Sequence, residues 1–398
     1  MSVLSIEQVD SIAEVDASEW DRLAGRHVLA SHAWLRTHEE CAAHPVRCRY
    51  VLARDSAGLL AAAAGWVQEK TDGVIDLDHV LYGRGAKLAQ RLGLSALPAL
   101  VCGTRMGAAG PLLVRDDVPA SERARLMDAL AEAVERIARE NGWNVCFREV
   151  ACVNLPAMEA LGGRGYLSSR EMPTACLDIH WSSFAEFRRE LRRQHPATAK
   201  NMSREISRGR RNGVVIEQIE DPGRYGDRLH ALMNSHYLRL NGIPFPYGPR
   251  FFEQLKSSLG ARAVISVARI EDEVIGVLVG LRDDREIHLP MIGIDLERSR
   301  AGSVYFNLGY NRPIQDSIAA GDRKVYFGKL LYRLKARRGC TALYGNLYLR
   351  VWNRRQAALL RPLFAYRSRK IDALSAAIPR EEPPAATPPA PGRRGLAG

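Results

Sequence analysis

One segment in the second half of the chain has the residue types that bind phosphate. Arg298 and Arg300 precede Gly302, after an apolar run and before a helical pattern. A helix N-terminus presents unpaired amides and a partial positive charge, so anions bind there, and two guanidinium groups add to the attraction. We therefore expect Arg298, Arg300 and Gly302 to bind the phosphate groups of a ligand. The alternative is a pair of ordinary arginines that contact no phosphate.

A second segment places two lysines and a tyrosine at helical spacing. Lys329, Tyr332 and Lys335 are three residues apart and are therefore neighbours on one helix face. If that face borders a cleft, Lys335 and Tyr332 are the predicted catalytic residues. Lys329 is then predicted to bind the same phosphate-bearing ligand. Lys335 would either hold a phosphate or stabilise a developing oxyanion, a charge role worth roughly 3 to 4 kcal/mol. The alternative for Lys335 is a surface lysine.

Two tyrosines lie on the helix predicted just before this segment. Tyr305 and Tyr310 could relay a proton, but core packing is the favoured interpretation for both.

The positive charge is concentrated in the second half. The net charge is +12, but residues 1–180 contain 19 basic against 24 acidic residues, whereas residues 181–398 contain 38 against 21. Residues 323–371 contain fourteen lysines and arginines and no acidic residue. Such a stretch repels itself unless a polyanion or counterions lie nearby.

Aromatic residues are interleaved with these cations, and they are Tyr326, Phe327, Tyr332, Tyr344, Tyr348, Trp352, Phe364 and Tyr366. Cations neutralise phosphates and aromatic rings stack on unpaired bases, a combination typical of proteins that bind single-stranded RNA ends. Most of these rings must fill the core, and we assign about two of them to bases.

Several common classes of protein are unsupported. The sequence has no phosphate loop, dinucleotide fingerprint, H-E-x-x-H or G-x-S-x-G motif. Its seven cysteines are scattered and never form a C-x-x-C pair. The pairs His38/Cys41 and His44/Cys48 have ligand-like spacing, but no further ligands complete a site, so we predict no metal site. The chain shows no signal peptide and no membrane span, which predicts a cytoplasmic protein.

The first half alternates strands and helices, and a basic connector follows it. The first-half elements are strands at Arg47–Asp55, Leu59–Gln68, Trp143–Val150 and Thr174–Ile179 and helices at Val118–Asn141 and Leu155–Leu161. The predicted connector helices are Phe184–Arg193 and Pro196–Gly213.

The second half repeats this order. Its helices are predicted at Tyr225–Asn241, Arg250–Leu259, Ala301–Ala320, Leu330–Arg338 and Trp352–Tyr366, and its extended segments at Ala263–Ile270, Val274–Leu281, Glu286–Ile292, Lys324–Phe327 and Thr341–Leu349. The pattern predicts an α/β (α+β) fold of two tandem domains, each a mixed central sheet flanked by helices. We divide it into residues 1–180, a connector at 181–215, a second domain at 216–378 and a disordered proline-rich tail at 379–398.

The second half resembles the GNAT-like acyltransferases. The likeness rests on the segment from Arg298 to Gly302 that follows Gly293-Ile-Asp295, then on Gly321, the run Val325–Gly328 and the run Tyr332–Lys335. More narrowly it resembles the two-domain branch of Fem-type aminoacyltransferases, over about 375 residues. The glycine-rich pyrophosphate loop of CoA-using members is not intact, since only Gly302 remains of its glycines, and no obligatory catalytic carboxylate is apparent.

This resemblance implies an N-acyltransferase without a resident cofactor. In the first hypothesis, the two domains form a cleft, aminoacyl-tRNA donates, and the amine of a small molecule or cell-envelope precursor accepts. Alignment and oxyanion stabilisation suffice for that reaction, which accounts for the missing catalytic triad. In the second hypothesis acyl-CoA is the donor. In the third the chain is a basic RNA-binding protein and no enzyme.

Overall fold

A computed structural model describes residues 4–69, 76–103, 110–151 and 154–381. The strands are β1 (Ser5–Val9), β2 (Arg47–Asp55), β3 (Gly58–Gln68), β4 (Ala99–Cys102), β5 (Leu112–Val114), β6 (Asn144–Ala151), β7 (Leu167–Arg170), β8 (Thr174–Asp178), β9 (Val214–Gln218), β10 (Ala263–Ile270), β11 (Glu273–Arg282), β12 (Glu286–Ile294), β13 (Lys324–Tyr326), β14 (Thr341–Leu343) and β15 (Gly345–Arg350).

The α-helices are α1 (Ala17–Ala24), α2 (His32–Cys41), α3 (Leu77–Tyr82), α4 (Ala86–Arg91), α5 (Ala120–Glu140), α6 (Leu155–Gly162), α7 (Phe184–Gln194), α8 (Pro196–Arg211), α9 (Gly226–Asn241), α10 (Phe251–Leu259), α11 (Leu296–Gly302), α12 (Val304–Phe306), α13 (Arg312–Ala320), α14 (Tyr332–Ala336) and α15 (Arg354–Ser375). Every helix among the described residues is too short or too polar to cross a bilayer.

Two mixed sheets organise these elements, as predicted. The first has the order β1-β2-β3-β4-β6-β15-β7, with β5 beside β3, and the second has the order β14-β8-β13-β12-β11-β10-β9. Each contains one parallel pair, β4 with β6 and β12 with β13, among antiparallel neighbours. Helix α5 packs on the first sheet through buried residues at helical spacing, including Leu126, Leu130, Val134 and Ile137.

The two sheets exchange strands across the predicted boundary at residue 180. Strand β8, from the first half, lies between β13 and β14 of the second sheet. Strand β15, from the second half, lies between β6 and β7 of the first sheet. The predicted extended segment Thr341–Leu349 is therefore two strands in different sheets, and the chain crosses between the sheets at Tyr344.

One hydrophobic core also joins the two halves. It contains Trp20 and Trp34 from α1 and α2, together with Tyr247, Phe251 and Phe252 from the second half, all fully buried. Tyr247 and Phe251 stack with their ring centroids 4.4 Å apart. Burial of several aromatic side chains from both halves makes this contact a major source of cohesion.

The predicted helix over 301–320 is interrupted. It consists of α11, α12, a π-helical turn at Asn307–Asn311 and α13, and Ser303 has a left-handed backbone. The irregular turn faces α8, where the side-chain amide of Asn307 donates to the Glu205 carbonyl and that of Asn311 donates to the Glu205 carboxylate. Polar contacts with a neighbouring helix thus replace the regular helical pattern.

Two C-terminal predictions also differ from the structure. Helix α15 begins close to the predicted position but continues to Ser375, and it accommodates Pro362 on its exposed side. The start of the predicted disordered tail is held in place, since Glu381 pairs with Lys324 and accepts a hydrogen bond from the Cys176 thiol. Residues 382–398 lie outside the described residues.

Candidate functional site

The two parallel strands of the second sheet diverge and open a cleft. β12 and β13 pair only from Glu286/Lys324 to His288/Tyr326. β12 then continues to Ile294, whereas the other strand turns away at Phe327. Because a parallel pair that separates leaves an open gap between its strands, residues after this point can line a binding site.

A cavity of about 590 Å³ occupies this gap, and we call it the C-terminal cavity. Its walls are largely apolar and come from α9, β11, β12, the 296–310 region and the turn before α14, and they are His236, Arg239, Leu240, Leu278, Leu289, Pro290, Ile292, Ile294, Leu296, Tyr305, Gly309, Tyr310, Phe327, Gly328, Lys329, Leu330, Leu331 and Lys335. All of these belong to the second half. This cavity is therefore not the cleft between the two domains that the first hypothesis expects.

Lys335 borders the C-terminal cavity but is not a surface lysine. It is 3% exposed, and its ammonium donates to the carbonyl oxygens of Phe327, Gly328 and Lys329, each at 2.9 Å. Burial lowers the pKa of Lys335 to about 8. Three carbonyl acceptors favour the charged form, so a desolvated cation fixes the backbone at the rim of the cavity.

The turn that Lys335 holds has an unusual backbone. Leu330 and Leu331 both have positive φ, 68° and 53°, where branched side chains are rarely found. Their side chains are more than half exposed and line the C-terminal cavity. The bonds from Lys335 help to impose this conformation, which presents two leucines at the cavity entrance.

Helix α9 contributes a polar pair that the sequence analysis missed. Gly293 lets α9 pack closely on β12, because a Cβ there would lie 2.7 Å from the Met233 nitrogen. His236, one turn further along, lines the cavity, and its Nδ1 lies 3.3 Å from the Arg239 guanidinium. The only available signal was the spacing of three residues between them on one helix.

The tautomer of His236 follows from its partner. Burial, and then the neighbouring Arg239, lower the pKa of His236 to about 4, so the ring is neutral at pH 7. A guanidinium can only donate, so Nδ1 accepts and the ring proton lies on Nε2. His236 is therefore a neutral N–H donor at the cavity.

Both tyrosines of the suggested proton relay line the cavity. Tyr310 is buried, as core packing predicted, and burial followed by the contact with Tyr305 raises its pKa. The Arg338 guanidinium lies 5.1 Å from the centre of the Tyr310 ring. Tyr305 is partly exposed and its ring centroid is 5.8 Å from that of Tyr310.

Lys329 lines the same cavity, but its ammonium is engaged elsewhere. Its Nζ binds Glu149 on β6 at 2.5 Å, and Glu149 itself has a positive φ of 55°. Arg148 and Glu171 form a buried ion pair beside it, with 3.0 Å between their nearest atoms. In this structure Lys329 connects the cavity rim to the first sheet.

The predicted phosphate segment lies apart from these groups. The side chain of Asp295 accepts hydrogen bonds from the amides of Glu297 and Arg298, each at 3.2 Å, which fills the helix end predicted to bind an anion. Arg298 pairs with Glu273, and Arg300 is exposed. Neither arginine lines the C-terminal cavity.

Gly302 has a packing role in place of the predicted phosphate contact. It is buried, and a Cβ built on it would lie 2.3 Å from Cγ2 of Val214 on β9. Glycine is therefore required here for the close approach of α11 to this strand.

Tyr332 is turned away from the C-terminal cavity. It is 5% exposed and donates a hydrogen bond of 2.8 Å to the Pro173 carbonyl. It lines a neighbouring cavity of about 510 Å³ between α8, α14 and α15, which we call the connector cavity. Leu330 and Leu331 line both cavities and therefore stand between them.

The fourteen cations of residues 323–371 fall into two groups. Six are engaged or buried, and they are Lys324, Lys329, Lys335, Arg338, Arg350 and Arg367. The other eight are exposed, and they are Arg323, Arg333, Arg337, Arg354, Arg355, Arg361, Arg369 and Lys370. Arg333 and Arg337 line the connector cavity. Acidic residues from distant parts of the chain thus neutralise part of the stretch.

The interleaved aromatic residues are mostly structural. Tyr326 stacks on His288, Trp352 donates to the Trp143 carbonyl, and Tyr344 bonds to Ser375. Tyr366, at 60%, is the one ring of the eight named above that is largely exposed. The prediction that about two of these rings stack on bases has one candidate in the described chain.

The C-terminal cavity combines apolar walls with a few donors, which is the usual composition of a small-molecule site. The lining side chains that carry hydrogen-bond donors include His236, Arg239 and Tyr305, and the buried Lys335 lies beside them. Such groups are strong in a low-dielectric environment and can stabilise negative charge that develops on a carbonyl oxygen.

The fold is similar to that of several solved structures at low sequence identity. One is the C-terminal domain of a protein from Agrobacterium fabrum that is assigned as a lysylphosphatidylglycerol synthetase. Its sequence is 14% identical to this one and the TM-score is 0.53. The superposition covers 92% of this chain and 98% of that domain. FemX is 10% identical with a TM-score of 0.54, over 89% and 99% of the two chains. A Bacteroides thetaiotaomicron protein of unknown function is 10% identical with a TM-score of 0.50, over 87% and 100%.

No curated protein matches the sequence. The sequence model of the FemAB-like family, described as peptidoglycan biosynthesis or recognition, matches residues 11–376. This match covers nearly the whole chain and confirms the resemblance to the Fem-type branch. The chain belongs to the FemAB-like family.

Proposed function

We propose that this protein is an N-acyltransferase that moves an aminoacyl group from aminoacyl-tRNA to the amine of a small-molecule or cell-envelope acceptor. The acyl group occupies the C-terminal cavity, and the donor binds on the side formed by residues 216–378. The reaction takes place in the cytoplasm, where aminoacyl-tRNA is available. Membership of a peptidoglycan-related family supports a cell-envelope acceptor.

The observation that carries the proposal is the group of donors around an apolar cavity. His236 presents an N–H, Arg239 holds it in that tautomer, and Lys335 keeps a positive charge at the rim. These groups suit a carbonyl oxygen that becomes negative. Removing one comparable donor in other enzymes costs about 10²–10³ in rate.

The reaction itself asks little more of the protein. The acceptor amine attacks the ester carbonyl, and the oxygen of the tetrahedral intermediate takes the negative charge. The new C–N bond remains as an amide when the C–O bond to the tRNA ribose breaks, and the amine's proton passes to the ribose hydroxyl. We assign assistance of that proton transfer to Tyr305, which lines the cavity and belongs to the suggested relay.

The connector cavity supports tRNA as the donor. Arg333 and Arg337 line it, and it adjoins the C-terminal cavity at Leu330 and Leu331. A tRNA acceptor end bound by these arginines could extend its aminoacyl group past the two leucines. The filled helix end at Asp295 argues against the binding of CoA pyrophosphate at Arg298 and Arg300.

The test uses purified protein with tRNA charged with radiolabelled amino acids and peptidoglycan precursors that carry free amines. We expect label to appear in the acceptor, to disappear after RNase treatment of the donor, and to fall strongly in His236→Ala. Lys256→Met, which alters a lysine paired with Glu220 away from the cavity, is the matched control.

Transfer that resists RNase and is supported by acyl-CoA would contradict the tRNA donor and favour an acyl-CoA-dependent enzyme. Salt-sensitive RNA binding without transfer to any amine would favour a non-enzymatic RNA-binding protein. Transfer that is unaffected in His236→Ala would place the reaction outside the C-terminal cavity.

A further inference from the structure

Two histidines and an aspartate meet where the first half of the chain contacts the hairpin between β11 and β12. His27 comes from the turn after α1, and Asp283 and His288 come from the hairpin. Oδ2 of Asp283 lies 3.2 Å from Nε2 of His288 and 3.8 Å from Nδ1 of His27. All three atoms lie within 4.8 Å of one another.

Contacts from outside the cluster hold two of its three side chains in place. The other carboxylate oxygen of Asp283, Oδ1, accepts from the Val28 amide and lies 3.4 Å from the Arg262 guanidinium. That leaves Oδ2 directed at both imidazoles. The His288 ring stacks on Tyr326 with centroids 4.3 Å apart and planes within 3°. Contacts to atoms outside the cluster thus fix both the carboxylate and one imidazole.

We propose that His27, Asp283 and His288 form a zinc site. Zn²⁺ binds imidazole nitrogen and carboxylate oxygen at about 2.0–2.2 Å, which in tetrahedral geometry separates ligand atoms by about 3.3–3.5 Å. The two separations that involve Asp283, 3.2 and 3.8 Å, bracket that value, and the two imidazole nitrogens lie within 4.8 Å of each other. The three residues supply three ligands, and a water molecule takes the fourth position of a tetrahedral site.

The chemistry of the ligands selects the kind of ion. Mg²⁺ and Ca²⁺ prefer oxygen ligands, and a single carboxylate cannot hold them firmly. Two imidazoles and one carboxylate suit Zn²⁺ and the neighbouring transition metals. Arg262 lowers the affinity through repulsion, but it contacts Oδ1 and not the oxygen that would bind the ion.

The zinc ion would join the two halves of the chain and take no part in transfer. His27 belongs to the first half, whereas the other two ligands belong to the second sheet. The C-terminal cavity is lined by other residues of the described chain, so the ion does not contact the acyl group. The sequence analysis predicted no metal site because the ligands are far apart in the chain and have no ligand-like spacing.

The experiment uses the full-length protein after chelator treatment and dialysis. We titrate it with Zn²⁺ by calorimetry and measure the thermal midpoint with and without the ion. Co²⁺ then replaces Zn²⁺, because its visible absorption reports tetrahedral coordination. The variants are His288→Ala and the milder His27→Gln, whose side chain is partly exposed. His180→Ala is the control, since this exposed histidine lies outside the cluster.

We expect one Zn²⁺ per chain, a raised thermal midpoint and a tetrahedral Co²⁺ spectrum. We also expect at least a tenfold loss of affinity in His27→Gln and wild-type binding in His180→Ala. If His288→Ala does not fold, His27→Gln alone decides. Failure of the wild-type protein to bind Zn²⁺ at micromolar concentration, or binding that survives His27→Gln, overturns the proposal. Neither result bears on whether the protein transfers aminoacyl groups.

Discussion

Lys335 holds the rim of the C-terminal cavity through three hydrogen bonds, and we expect this role to make the proposed transfer sensitive to pH. A neutral amine has only two N–H groups, so loss of its proton breaks at least one bond to the carbonyls at 327–329. With a pKa near 8, we expect transfer to fall as the pH rises through about 8. The measurement is the pH dependence of kcat around that value.

The free energy of unfolding should change with pH in the opposite direction to the rate of transfer, because of the same lysine. Its pKa in the folded protein lies below the ordinary value of about 10.4, so the unfolded chain binds the proton more tightly over that interval. The free energy of unfolding therefore gains a contribution as the pH rises from about 8 toward 10.4. In Lys335→Met, neither the fall in transfer nor the rise in the free energy of unfolding above pH 8 should be seen. Transfer that increases through pH 8 in the wild-type protein would instead indicate a lysine acting as a base.

In the proposed reaction His236 acts through its Nε2–H group, and two substitutions separate this role from simple packing. We expect His236→Ala to lower kcat by about 10²–10³, because one donor to the developing oxyanion is lost. His236→Gln should recover part of that loss, since an amide can donate in its place. The exposed His180→Ala is the control, and equal activity in all three variants would contradict the assignment.

Gly302 was predicted to bind phosphate, but in the structure it allows α11 to pack closely against β9. Gly302→Ala should lower the free energy of unfolding by about 1–3 kcal/mol, because its Cβ would overlap Val214. Val214→Ala in the same chain should restore much of that stability. Urea denaturation of both single variants and the double variant measures this coupling. An effect on donor affinity that the double variant retains would instead support the phosphate-binding interpretation.

Local patterns predicted most of the strands and helices, because hydrophobic periodicity reports which face of an element is buried. They did not predict partners. Strand β8 reads like any short buried strand, and nothing in its five residues indicates that it pairs with β13 and β14. The interruption at Asn307 and Asn311 likewise depends on Glu205, about a hundred residues away.

In the candidate site too, residue types could be predicted from the sequence, whereas the partners of those residues could not. Lys335 was predicted as a charged group beside a cleft, and it does border the C-terminal cavity. Its hydrogen bonds to carbonyls, the ion pair of Lys329 with Glu149 and the orientation of Tyr332 toward Pro173 all depend on tertiary contacts. His236 was missed because its three-residue spacing from Arg239 is common on helices and does not show that α9 packs against β12.

For the whole molecule, the number of cations is a poor guide to the charge that a ligand meets. Arg333 and Arg337 are exposed at the connector cavity, whereas Arg338 is buried against Glu205. We expect Arg333→Ala and Arg337→Ala each to weaken tRNA binding and to reduce the slope of log K against log salt by about 0.7–0.9. Arg323→Ala, an exposed arginine outside both cavities, is the control, and equal slopes in all variants would contradict this binding surface.

Strand exchange and the shared aromatic core predict that the two halves unfold together. Residues 1–180 alone lack β15, so β6 and β7 lose the strand between them, and the core loses Tyr247, Phe251 and Phe252. We expect one urea transition for the full chain, with far-ultraviolet circular dichroism and tryptophan fluorescence coinciding. Trp20 and Trp34 report the shared core, while circular dichroism reports both sheets. A fragment of residues 1–180 should show no cooperative transition of its own, and two separate transitions in the full chain would indicate that each sheet is stable without the strand it receives from the other half.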